Sequence, residues 1–218
     1  MSLVSNLFII FVAGAVLLYY LLPKKMRWWG LLLTSYIYYL AAGTKYFPFL
    51  LFSTIITYLC GLAIEHEVNQ DKKKAKRYLI IGLILNFGMQ ILLPLGISFY
   101  TFQTSGYLLD IYWKRDHAEK NIFRYALFVS YFPQILQGPI GRHSRLAEQL
   151  YEGHSFDLQR ICRGIQRIFW GFFKKMILAD WSAVFVDAIF GNPDQYNGLA
   201  IFGVLTLHSY DHHNLYIL

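Results

Sequence analysis

Seven histidines, two cysteines and a few amides inside apolar stretches are the side chains with which this chain could do chemistry. His143 stands in Gly141-Arg142-His143-Ser144-Arg145, just after a segment interrupted by Pro133 and Pro139. Arginine grips phosphate through a bidentate fork, so Arg142, His143 and Arg145 suit a phosphate-bearing donor, and equally a basic cluster facing lipid headgroups. Gln134 and Gln137 lie within the broken segment and Asn86 within another uncharged stretch. An amide is costly against hydrocarbon unless it is hydrogen-bonded. All three are therefore expected to face a bundle interior, as lining of a substrate channel or as ties between helices.

The remaining candidates carry less. His208 and His212 have the i, i+4 spacing of helical metal ligands, with His213 and Asp211 beside them, but nothing nearby would orient the rings, and no metal site is expected. His66, His117 and His154 fall in charged loops and read as solvated. Cys60 and Cys162 are far apart and fit no C-x-x-C pattern, which argues against both a structural zinc and a disulfide framework. The chain has no Gly-rich phosphate loop, no G-x-S-x-G elbow and no basic groove interleaved with aromatics, so nucleotide-loop, serine-hydrolase and nucleic-acid-binding classes are set aside. No residue is assigned a catalytic role.

The elements that must position these residues belong to a bilayer. Of 218 residues, 56% are hydrophobic, 18% aromatic and only 15% charged, against about 25% charged in soluble domains. The apolar residues come in long uncharged blocks. Leu7 to Leu22 is one such block, long enough to cross a hydrocarbon core of about 30 Å. Its basic cluster, Lys24, Lys25 and Arg27, follows the block, whereas a cleaved signal peptide carries its positive charge ahead. Trp28 to Thr44 and Tyr46 to Ile64 are the next blocks, and the loop from Glu65 to Arg77 carries Lys72, Lys73, Lys74, Lys76 and Arg77.

The net charge is +7, and up to Arg77 the basic residues sit at 23–27 and 65–77, with one lysine at 43–45. That alternation predicts a membrane protein with its N-terminus outside and the two basic links in the cytoplasm. Tyr78 to Leu109 is too long for one span and too short for two, and Pro94 divides it without a polar turn. It predicts one kinked or re-entrant element, or two spans whose connection is missing. Broken backbone at membrane depth must be buried in protein or line a wet cavity, which applies to the segment around Pro133 and Pro139. Arg160, Arg163 and Arg167 recur on one face of a helix whose other positions are apolar, as in a helix lying in the interface plane. The predicted fold class is all-α: a polytopic integral-membrane helical bundle of about five to seven segments, with re-entrant or interfacial pieces.

Four blocks carry a family pattern in order. They are Leu93-Pro94-Leu95-Gly96-Ile97-Ser98-Phe99-Tyr100-Thr101-Phe102-Gln103, then Asp110-Ile111-Tyr112, then Phe128 to Ile140, then Gly171-Phe172-Phe173-Lys174-Lys175 with Ala179-Asp180. Together they resemble the membrane-bound O-acyltransferase family, in the bacterial branch of alginate O-acetylation and teichoic-acid D-alanylation membrane proteins. The resemblance implies acyl transfer from a thioester donor such as acyl-CoA, approached from the cytoplasm, to a hydroxyl of an exported polysaccharide such as alginate. It implies no bound cofactor, a lipid bilayer as surroundings, no nucleic acid, and a periplasmic or extracellular acetyl-handling partner protein. A hydroxyl needs a positioned base, usually histidine, as it attacks the acyl carbon.

The departures matter as much. The family's histidine block has no counterpart here, nor has the aromatic-lysine loop expected before Pro94. After Thr206 the family pattern gives way to Leu207-His208-Ser209-Tyr210-Asp211-His212-His213-Asn214-Leu215-Tyr216-Ile217-Leu218. Residues 1–206 are therefore read as the N-terminal part of a membrane domain, and 207–218 as an atypical tail, expected to be out of frame. The alternative to an active O-acyltransferase is a catalytically silent fragment without the base; a transporter-like bundle is the third reading, with no inverted repeat to favour it.

Overall fold

A computed structural model describes residues 6–44, 47–92, 99–137, 141–174 and 184. The chain divides into two compact units, residues 1–155 and 156–218. Among the described residues the regular structure is helical throughout, as the all-α expectation requires. In the first unit the helices are α1 (Asn6–Leu21), α2 (Arg27–Ala42), α3 (Phe47–Glu67), α4 (Lys72–Leu92), α5 (Phe99–Tyr112), α6 (Ile122–Ser130), α7 (Phe132–Gln137) and α8 (His143–Tyr151), with a 3-10 turn at Lys24–Met26. The second unit holds α9 (Leu158–Phe173). Among the described residues, α3 is long and apolar enough to cross a membrane, and Leu7–Leu21 is a shorter apolar helix.

The basic run read as part of a loop is helical. α3 extends to Glu67 and α4 starts at Lys72, so the link shrinks to residues 68–71 and the lysines form the first turns of α4. Asp71 makes this start, its carboxylate accepting from the backbone N–H of Lys73 at 2.9 Å and of Lys74 at 3.2 Å. An N-cap of this kind satisfies helix donors that otherwise lack partners. The pattern of charge was legible; its extension of the helix was obscured because lysine is both a good helix former and a loop residue.

α4 and α5 are two helices that run antiparallel. The Asn86 amide donates to Thr104 Oγ1 at 2.7 Å and to the Thr101 carbonyl at 3.1 Å, while Gly82, a turn earlier on α4, faces Leu108, a turn later on α5. In a single helix residues 86 and 104 would stand about 27 Å apart at 1.5 Å per residue, so a single kinked helix is ruled out. The join expected to lack a turn, at residues 93–98, lies outside the described residues.

α3 packs beside both. Ser53 Oγ donates to Asn86 Oδ1 at 2.7 Å, which ties α3 to α4. The helices approach closely where small residues allow it: a Cβ on Gly61 would meet Tyr107 at 2.9 Å, and one on Gly82 would meet Leu108 at 2.9 Å and Cys60 at 3.2 Å. Small residues at these positions let the helix backbones approach closely. The core of the unit is Leu50, Ile64, Tyr107, Leu108, Ile111, Tyr125, Phe128 and Val129, all close to fully buried. On the far side Tyr38, Phe11 and Phe132 join α1, α2 and α7, with ring centroids 5.2 Å apart for Phe11 and Phe132.

Candidate functional site

The polar links of the first unit meet at one end. α5 closes with a left-handed residue, Lys114 at φ 57°, and the Arg115 N–H returns to the Asp110 carbonyl at 2.8 Å while the Lys114 N–H reaches Ile111 at 2.9 Å. This Schellman ending turns the chain back and leads it into residues 115–121. Lys114 Nζ then donates to Asn69 Oδ1 at 2.5 Å, and the Tyr58 hydroxyl donates to the Lys120 carbonyl at 2.7 Å. Asn121 starts α6 by accepting from the N–H groups of Phe123 at 3.0 Å and Arg124 at 3.4 Å.

Asp116, in this loop, pairs with His143, the first residue of α8, at 2.9 Å between Oδ2 and Nδ1. Their side chains are 13% and 7% exposed, so the pair is largely shielded from water. The imidazole lies edge-to-face against Tyr107 and Phe128, each with its ring centroid 4.9 Å away. Tyr107 in turn accepts from the Glu119 N–H at 3.0 Å. Burial pushes the Asp116 carboxyl upward, but the hydrogen bond and charge of His143, with the His117 N–H and charge, outweigh it and hold the carboxyl below its ordinary range. A carboxylate only accepts, so Nδ1 carries the proton of this bond. His143 Nε2 is buried with no partner among the described residues. In this fold the pair fastens a loop to a helix start, where the positive helix terminus also favours the carboxylate.

Two arginines extend the assembly along the same end. The Arg124 guanidinium lies over Tyr151 at 5.2 Å and Trp28 at 5.7 Å, joining α2, α6 and α8. Arg27 is buried and donates to the carbonyls of Leu22 and His154, against the rings of Tyr19 and Tyr20. Gly153 rests on the Lys24 backbone, where a Cβ would come within 2.5 Å of the carbonyl oxygen. The turn at 24–26, the link at 68–71, the loop at 113–121 and α8 thus share one end.

The broken segment has its break at Tyr131, between α6 and α7. Backbone groups beside it are met by side chains: Gln103 donates to the Phe128 carbonyl at 2.9 Å, and Ser35 Oγ accepts from the Phe132 N–H at 3.3 Å. Gln134 accepts from Gln103 at 3.4 Å. Gln137 ends α7, and residues 138–140 lie outside the described residues.

The expected grouping of Arg142, His143 and Arg145 does not form. Arg142 and Arg145 are exposed while His143 turns inward to Asp116, because on a helix start successive residues point to different sides. Of the solvated histidines, the His117 ring is exposed beside Glu65 at 3.0 Å, and His66 is exposed but sits within α3. His154 is half-buried, its backbone N–H donating to the Tyr19 hydroxyl at 3.1 Å. His208, His212, His213 and the tail at 207–218 lie outside the described residues. Among the described residues no cluster of three or more metal-ligating side chains occurs. Sequence reasoning missed Asp116 as the partner of His143. No local signal links residues 27 positions apart, and Asp116 read as one of several loop charges.

These features describe a helical unit held by polar ties, and comparison with known proteins gives its class. The chain is related to bacterial O-acetyltransferases. It is 31% identical over 216 residues to the "probable alginate O-acetylase AlgI" of Pseudomonas fluorescens, which covers 92% of this chain and 43% of that protein. Against the protein of the same name from Pseudomonas aeruginosa it is 32% identical over 234 residues, with 92% and 44% covered. It is also 29% identical over 216 residues to the peptidoglycan O-acetyltransferase of Helicobacter pylori, with 76% of this chain and 40% of that protein covered. Five alginate O-acetylases are similar to this chain at 29–32% identity over 92% of its length. It spans less than half the length of these relatives. No family model matches the chain. No solved structure matches it.

Proposed function

We propose that the chain forms part of a multi-pass cell-membrane O-acetyltransferase that moves an acetyl group from a thioester donor, such as acetyl-CoA, to hydroxyls of an exported polysaccharide such as alginate. The observation that carries this reading is the relatedness to alginate O-acetylases over 92% of the chain. In this reading the shared basic end faces the cytoplasm and the N-terminus lies outside, since Lys24, Lys25, Lys72, Lys73, Lys74, Lys76 and Arg77 all belong to that end. The donor approaches there, over the loop that Asp116 and His143 fasten. The polar atoms of Gln103 and Gln134 border the break between α6 and α7, where an aqueous path could meet otherwise apolar helices. Transfer needs a base for the acceptor hydroxyl, and none is assigned among these residues. A periplasmic or extracellular acetyl-handling protein is the partner this reading calls for.

The test is acetyl transfer from labelled acetyl-CoA in washed membranes of cells expressing the chain. The expected result is alkali-labile label in polysaccharide above that of membranes without it. Inserted chain with no such label would overturn this reading for the chain.

A further inference from the structure

α9 has an unusually clean division of residue types. With 100° per residue, Leu158, Ile161, Cys162, Ile165, Ile168, Phe169, Phe172 and Phe173 fall within an arc of about 140°. Arg160, Arg163 and Arg167, with Lys174 at the C-cap, occupy the centre of the opposite arc, and the helix contains no acidic residue. The acidic group at its start, Asp157, serves as the N-cap, accepting from the Arg160 N–H at 3.2 Å. Lys174 Nζ lies over the Trp170 ring at 5.9 Å, beside the polar arc. None of the helix residues is buried, and Leu158 and Phe169 are 65% and 69% exposed.

A core helix would bury its apolar arc, and a spanning helix would not carry three arginines in its first ten residues. An apolar arc opposite a purely cationic one matches a surface that is greasy below and negatively charged above. We propose that α9 lies in the plane of the membrane and binds anionic phospholipid headgroups through Arg160, Arg163 and Arg167, with the Cys162 side sunk into the acyl boundary. This rests on the membrane location proposed above and adds a dependence on lipid charge. Its cationic arc is the complement of an anionic leaflet, which a second copy of the same cationic helix would not supply.

The chain carries its own probe, because Cys162 lies on the apolar arc and Cys60 is the other cysteine. With Cys60→Ala in the full chain, Cys162 is reacted with a water-soluble maleimide in vesicles of phosphatidylcholine alone and of phosphatidylcholine with phosphatidylglycerol. The expected result is slow labelling in the anionic vesicles and labelling at least tenfold faster in the neutral ones. Each of Arg160→Gln, Arg163→Gln and Arg167→Gln should accelerate labelling in anionic vesicles roughly five-fold, and high salt should do the same in the unaltered chain. Equal labelling in both vesicles overturns the proposal: fast in both means no docking, and slow in both means a protein or lipid cover indifferent to charge. Resistance of the chain to carbonate extraction is scored in the same vesicles. Extracted chain sinks the membrane reading itself, whereas inserted chain with charge-independent labelling sinks the α9 proposal alone.

Discussion

The Asp116–His143 pair is the feature with the clearest consequence at the scale of single residues. Asp116→Asn removes the charge while keeping the shape, and should lower the thermal unfolding temperature of the detergent-solubilised chain by the equivalent of roughly 1–3 kcal/mol. The pair also sets a pH window. Because the folded carboxyl is held below its ordinary range, its stabilisation is present above the unfolded value near 4 and is lost as pH falls through the lowered folded value. Unfolding followed from neutral to acid pH should show the unaltered chain and Asp116→Asn converging below about pH 4; a constant gap across the range would sink this account. His143 drew notice from the sequence for its type and its place beside Pro139, but its neighbours there misled. Arg142 and Arg145 are close in sequence and turn outward, whereas the partner comes from a loop the chain passed 27 residues earlier.

Among the elements, the contact of α3, α4 and α5 depends on one amide and a few missing side chains. Asn86 joins Ser53, Thr101, Thr104 and Ser105 in a single buried network. Asn86→Leu should cost roughly 1–2 kcal/mol in a detergent unfolding titration, the range of interhelical hydrogen bonds in membrane proteins. No loss would mean that the hydroxyls repair themselves through their own helix carbonyls, as Thr104 already does with Tyr100 at 2.8 Å. Gly153→Ala is a different case, since its added Cβ would meet the Lys24 backbone and not a side chain that could swing aside. It should destabilise by about 1–3 kcal/mol, measured by the same titration, and Lys24→Ala should not relieve it. Helix existence was largely legible from uncharged blocks. Helix ends were not, because the first turns of α4 are charged and the stop of α5 uses Lys114, where glycine would be the recognisable signal.

For the whole molecule, the testable quantity is sidedness. In cells expressing the chain with Cys60 and Cys162 replaced by alanine, Gly43→Cys should react with an impermeant maleimide from outside. Asn69→Cys should react only after the membrane is opened. The reverse pattern would invert the proposed topology, and labelling of both in intact cells would remove it. The contacts of Asn69 with Lys114 and of Gly153 with Lys24 tie these links to one end whichever way that end faces.

The helical class, the high apolar content and the ordered blocks shared with alginate O-acetylases were legible in the sequence. These properties reside in composition, in the period of apolar residues and in short ordered blocks, all of which survive without any folding. Only the tertiary structure brought the polar groups together: Asp116 with His143, Asn86 with Ser53, Thr101, Thr104 and Ser105, Gln103 with the open carbonyl of Phe128. Those pairings span from 15 to 33 positions. They arise because helices bury polar groups only where another helix supplies a partner, a condition on space that spacing along a chain does not record.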